Sequence, residues 1–146
     1  MIRVAAVDDD VSVLKNIGKL IKRTKAFEGF EYIVDTFTSG SDFLHSEKFY
    51  DLLLLDIEMP QMNGFELAKQ VNSVSQDGEH TSIIYISNYE NLVFESFNYS
   101  PLRFVRKNNL DTDFPEAVRD AYSNQFLELN REQDKQRLHK QRDPIV

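Results

Sequence analysis

The sequence predicts an α/β domain of the doubly wound class, a five-stranded parallel sheet with helices on both faces. Three observations carry that class. Apolar runs of strand length alternate with helical patterns five times along the chain. The most apolar run, LLLL at 52–55, has no polar face, as in a central strand covered on both sides. The chain has 146 residues, 41% apolar and 28% charged, enough for one domain with a sizeable core.

Each element has its own signal. IRVAAV (2–7) reads as a buried strand, and residues 12–24 place Val13, Leu14, Ile17, Leu20 and Ile21 at helical spacing. Residues 30–38 form a strand rich in β-branched and aromatic side chains, followed by a short helix at 39–47 that opens on Ser39. YDLLLLD (50–56) is the third strand, 63–74 a helix, and 75–81 a polar loop. SIIYIS (82–87) is the fourth strand, and a helix over 91–99 ends at Ser100-Pro101. LRFVRK (102–107) is the fifth strand. A long helix then opens at Asp113 with Pro115 in its first turn and continues through Ala117, Val118, Ala121, Tyr122, Phe126 and Leu129. The expected division is a domain over 1–128 and a charged helical extension over 129–146. The apolar stub PIV (144–146) is expected to begin a further domain.

Composition narrows the function. No apolar run nears the roughly 18 residues of a membrane helix, and MIRVAAVDDD is no signal peptide, so a cytoplasmic location is expected. There are no cysteines, and His45, His80 and His139 lack ligand spacing, so thiolate and zinc sites are not expected. The net charge of −7 argues against direct nucleic-acid binding. Residues 131–146 are locally basic, most simply as a solvated helix face.

In a parallel sheet the carboxyl ends of the strands share one edge. Asp8, Asp9 and Asp10 follow the first strand, Asp56 and Glu58 close the third, Ser87 the fourth and Lys107 the fifth. Clustered carboxylates raise one another's pKa unless a cation joins them. An oxygen-only set favours Mg²⁺ or Ca²⁺. A carboxylate can attack phosphorus to give an aspartyl phosphate, with the hydroxyl and ammonium neutralising phosphoryl oxygens. Taken singly, each residue has an ordinary reading. The acidic run suits helix capping, Asp56 and Ser87 suit turn and helix starts, and Lys107 suits a solvated strand end. Their arrival at one edge favours a phosphoryl-accepting site on Asp56.

These residues resemble the response-regulator receiver domain of two-component signalling, over roughly 2–125. VAAVDDD, YDLLLLDIEMPQMNG, IIYISN and RFVRK carry the resemblance. It implies a flavodoxin-like fold with strand order 2-1-3-4-5. It implies Asp56 as phosphoacceptor, with Asp9 and Asp8 on Mg²⁺ and the Glu58 backbone carbonyl completing the metal site. Ser87 and Lys107 would engage phosphoryl oxygens, and Phe104 would be the aromatic switch that reports on Ser87. Asp10 is assigned a helix cap. The implied partners are a sensor histidine kinase and, on activation, a second copy.

The sequence also departs from the family. Asn108 replaces the usual proline after the lysine, so that turn is expected to be trans or strained, since a non-proline cis bond costs about 2.5–4 kcal/mol. Asn88 stands where a small residue is usual, and Phe104 lacks a tyrosine hydroxyl. DIEMPQMNG and ISNYENLVFESFNYSPLRFVRK are similar to receivers of LytTR-type transcription regulators. That implies DNA contact only through a further domain. Two rivals differ in class. One is a haloacid-dehalogenase-like phosphatase, which also uses an aspartyl phosphate; the other is a receiver acting as an interaction module without phosphorylation.

Overall fold

The computed structural model describes residues 1–24, 27–74, 81–88 and 103–121. Its elements are β1 (Ile2–Val7), α1 (Val11–Arg23), β2 (Tyr32–Phe37), α2 (Gly40–His45) and β3 (Leu52–Asp56). They continue with α3 (Gly64–Val74), β4 (Ser82–Ser87), β5 (Arg103–Arg106), a 3-10 turn (Lys107–Asn109) and α4 (Leu110–Ala121). The five strands are parallel in the order β2-β1-β3-β4-β5, the order that the receiver-domain resemblance implies. Among the described residues no helix is long and apolar enough to cross a membrane.

The sheet separates two cores, and side-chain alternation assigns residues to them. On one face Val4, Ala6, Leu52, Leu54, Ile84 and Ile86 pack against α1 and α4, through Leu14, Ile17, Ile21, Phe114 and Val118. On the other, Ala5, Val7, Leu53, Leu55 and Tyr85 pack against α2 and α3, through Phe43, Phe65 and Leu67. All five β3 residues are buried. This explains the unbroken leucine run, because a central strand has no solvent side for a polar residue.

Capping fixes where helices start. Asp10 caps α1, accepting from Ser12 N at 2.9 Å and Ser12 Oγ at 2.6 Å. Those bonds hold its carboxyl below the ordinary range. Asn63 Oδ1 accepts from Glu66 N at 2.9 Å to start α3. Asp10→Ala is expected to lower stability through loss of the N-cap, measured as a downward shift in the denaturant midpoint with unchanged slope.

Three expectations need correction. The last helix opens at Leu110, not Asp113, because the 3-10 turn runs straight into it. Asp113 therefore does not start the helix; its side chain reaches back to Arg106 and Asn109. Pro115 lies inside α4 rather than in its first turn, where it removes one backbone donor. The strands also begin later than read: β2 at Tyr32 and β3 at Leu52. Tyr50, ahead of β3, instead donates its hydroxyl to Asp35 Oδ2 at 2.7 Å, and burial with this bond pushes its pKa up to about 12. The helix read at 91–99 and the extension at 129–146 lie outside the described residues.

The amino ends of the strands hold an acid of a different kind. Asp51 is buried, and its Oδ2 accepts from Arg3 N at 2.9 Å. Its backbone N–H donates to Arg3 O at 2.8 Å, and its carbonyl accepts from Ser82 N at 2.9 Å. It ties β1, β3 and β4 together at the edge opposite the strand carboxyl ends.

Candidate functional site

Sheet register brings the carboxyl-end residues together. Val7 pairs with Leu55, so Asp8 and Asp56 follow side by side on β1 and β3. Asp56 pairs with Ile86, and Ser87 with Arg106, so Ser87 ends β4 and Lys107 follows the end of β5 at the same edge. The apolar strands deliver these polar groups into a nearly dry setting: Asp8 is 1% exposed, Asp56 4% and Ser87 1%.

Lys107 joins two of the acids. Its Nζ lies 2.9 Å from Asp8 Oδ2 and 3.2 Å from Asp56 Oδ1. The other Asp8 oxygen, Oδ1, accepts from Asp10 N at 2.8 Å, which orients the carboxylate. Carboxylate oxygens of Asp8, Asp9 and Asp56 all lie within 4.8 Å of one another. Burial and the nearby Asp8 charge push Asp56 up to about 7, although Lys107 pulls the other way. Burial also raises Asp8, against its bonds to Asp10 N and Lys107. For Lys107, burial opposes the ammonium, but the Asp8 bond and the two carboxylate charges outweigh it, so its pKa rises.

This donor set fits a hard divalent cation. Three carboxylates against one ammonium leave a charge deficit of two. Oxygens sharing one Mg²⁺ at about 2.1 Å lie roughly 3–4 Å apart, inside the 4.8 Å that bounds these carboxylate oxygens. Asp8, Asp9 and Asp56 are the side chains that would hold it. The Glu58 side chain is exposed and outside this group, which leaves only its backbone carbonyl for the role expected of it.

The loop after β3 is folded to leave Asp56 at the edge. Gly64 N donates to Ile57 O at 2.8 Å, closing the loop over residues 57–64. A Cβ on Gly64 would collide with the Asp56 carbonyl oxygen, and would stand 3.0 Å from Ile57 Cα. Met62 N donates to Pro60 O at 2.7 Å around Gln61, whose φ is 68°. That is a three-residue turn with its centre in the left-handed region, rare for a side-chain-bearing residue. Gln61→Gly is therefore expected to raise stability by about 0.5–1 kcal/mol, measured by chemical denaturation.

Phe104 is half-buried against the α2/α3 core, paired across the strands with Tyr85. Asn88 and Asn108 are exposed. The Lys107–Asn108 peptide is trans, and a 3-10 turn accommodates the missing proline. Three contributors were not read from the sequence as such: the Gly64 contact, the Asp51 tie, and the Asp113 carboxylate bonded to Arg106 and Asn109. Only Gly64 had a local signal, the Asn-Gly pair.

Comparison with known proteins agrees with this geometry. The family described as "Response regulator receiver domain" matches residues 4–119. A CpxR homolog of Haemophilus influenzae, a transcriptional regulatory protein, is 34% identical over 76 residues, 51% of this chain and 31% of that protein. The sensory transduction protein LytT of Bacillus subtilis is 26% identical over 107 residues, 73% of this chain and 42% of that protein. This chain spans less than half the length of the curated relatives it matches. The BeF3-activated receiver domain of DrrB superposes with a TM-score of 0.66 at 25% identity, covering 88% of this chain and 98% of that one. The response regulatory domain of mrkE from Klebsiella pneumoniae reaches 0.71 at 18% identity, covering 84% and 96%, a likeness of fold.

Proposed function

We propose that this chain, which belongs to the response regulator receiver domain family, is a phosphorylation switch with Asp56 as its phosphoacceptor. The observation that carries the proposal is the buried Asp56 carboxylate, 3.2 Å from Lys107 and grouped with Asp8 and Asp9. An Asp56 oxygen attacks the phosphorus of a phosphohistidine on a sensor histidine kinase. The phosphorus–nitrogen bond breaks, the imidazole leaves, and an acyl phosphate remains on Asp56. A Mg²⁺ held by Asp8, Asp9, Asp56 and the Glu58 carbonyl supplies charge neutralisation when bound. Lys107 takes one phosphoryl oxygen as its ion pair with the Asp56 carboxylate is replaced, and Ser87 donates its hydroxyl to another. Phe104, on the strand beside Ser87, repacks with that movement. The added charge thus biases a two-state element.

The proposed output is self-association that controls a DNA-binding domain attached beyond the charged 129–146 segment. A LytTR-type regulator is the subfamily we favour, supported by the motif resemblance and the likeness to LytT. The acidic charge of the chain supports DNA contact through that attached domain only.

Beryllofluoride with Mg²⁺ tests the switch. The expected result is a change in the NMR resonances of Ser87 and Phe104 and an increase in hydrodynamic size. Unchanged spectra and size at saturating mimic contradict the reading and favour the phosphorylation-independent module. Steady turnover of a small phosphomonoester would favour the phosphatase.

A further inference from the structure

We infer that Asp113 is a positioning residue for Lys107, acting through Arg106 and Asn109. This rests on the role proposed for Lys107 above. One carboxylate on α4 gathers both flanks of the lysine. Asp113 Oδ2 accepts from Arg106 N at 3.3 Å and Arg106 Nε at 3.0 Å. Its Oδ1 accepts from Arg106 Nη2 at 3.4 Å and Asn109 Nδ2 at 2.8 Å. Arg106 immediately precedes Lys107, and Asn109 follows it by two residues. The backbone bearing the ammonium is therefore tethered on either side to a single point.

That point is itself fixed. α4 buries Phe114, Ala117 and Val118 in the core beside Asp113. The carboxylate is 19% exposed and its partner Arg106 41%, so it is the number of donors, four, rather than burial of the pair that holds it. The turn it spans, Lys107–Asn109, is a short 3-10 segment of non-proline residues, with little rigidity of its own. Lysine has a flexible four-carbon stem. Reaching Asp8 at 2.9 Å and Asp56 at 3.2 Å at once requires its Cα to be placed. The clamp supplies that placement without touching the reacting atoms.

The test is a double-mutant cycle, which separates action through Lys107 from general stability. Phosphorylation by acetyl phosphate with Mg²⁺ is timed for wild type, Asp113→Ala, Lys107→Ala and the double variant. Asp113→Ala is expected to slow the reaction about tenfold in the wild-type background and not at all in the Lys107→Ala background. Asp113→Asn, which keeps an acceptor, should fall between and serves if the alanine variant folds poorly. Side-chain NMR resonances of Lys107 in the metal-free protein should move toward those of a free lysine. An equal slowing in both backgrounds, or Lys107 resonances unmoved by Asp113→Ala, overturns the inference. If wild type accepts no phosphoryl group, the functional reading fails, while the Lys107 resonances still decide the clamp.

Discussion

Asp56→Asn is expected to stabilise the metal-free protein, by an amount that grows with pH. Burial and Asp8 raise the Asp56 pKa from 3.8 to about 7, so the folded state keeps a proton that the unfolded chain gives up near its ordinary value. Folding then takes up a proton between those two limits, and the contribution of Asp56 to stability falls as pH rises through the window. Its cost is absent below about pH 4 and complete above about pH 7. Asp8, also raised, adds to the same slope, while Lys107 is charged throughout this range and adds none. Asp9 is the other charge beside the group. Linkage sets a ceiling of about 4 kcal/mol, and loss of the Lys107 contact in the variant reduces the expected gain to about 1–3 kcal/mol. The measurement is urea denaturation of wild type and Asp56→Asn with chelator across pH 4–8. A difference independent of pH would contradict the buried, proton-sharing site. Saturating Mg²⁺ should close most of the gap at pH 8, because it stabilises only the chain that keeps all three carboxylates.

Gly64→Ala has the second large expected effect, and it couples the loop to the site. The new methyl would collide with the Asp56 carbonyl oxygen, a backbone atom of the central strand that cannot swing aside. The loop closed by the Gly64 N to Ile57 O bond must open, or the end of β3 must shift. A loss of about 2–4 kcal/mol is expected, in the range of severe overpacking. The Mg²⁺ affinity of the surviving folded fraction should fall as well. Wild-type stability with wild-type Mg²⁺ affinity would show that the loop does not hold Asp56 in place.

The leucine run, the alternating apolar strands and the residues at their carboxyl ends made the sheet and the acid cluster legible in the sequence. The reason is that parallel register forces the ends onto one edge: once β1, β3, β4 and β5 are recognised, Asp8, Asp56, Ser87 and Lys107 must be neighbours. What stayed hidden depends on atoms that meet across the fold. Asp113 reads in the sequence as a helix start because Pro115 would then fall in the first turn; only the structure brings it to Arg106 and Asn109. Asp51 reads in the sequence only as part of the third-strand run, yet it ties three strands together. Gln61 carried no mark of its positive φ, because turn geometry there is imposed by the loop closure at Gly64.

The central claim is that Asp56 accepts the phosphoryl group, and mass spectrometry tests it most directly. The full chain is incubated with acetyl phosphate and Mg²⁺, and the intact mass and the modified peptide are read. The account predicts a single phosphoryl adduct, mapped to Asp56, dependent on Mg²⁺ and absent from Asp56→Asn. An adduct that persists in Asp56→Asn, or a wild-type chain that takes none while folded and Mg²⁺-bound, would contradict it.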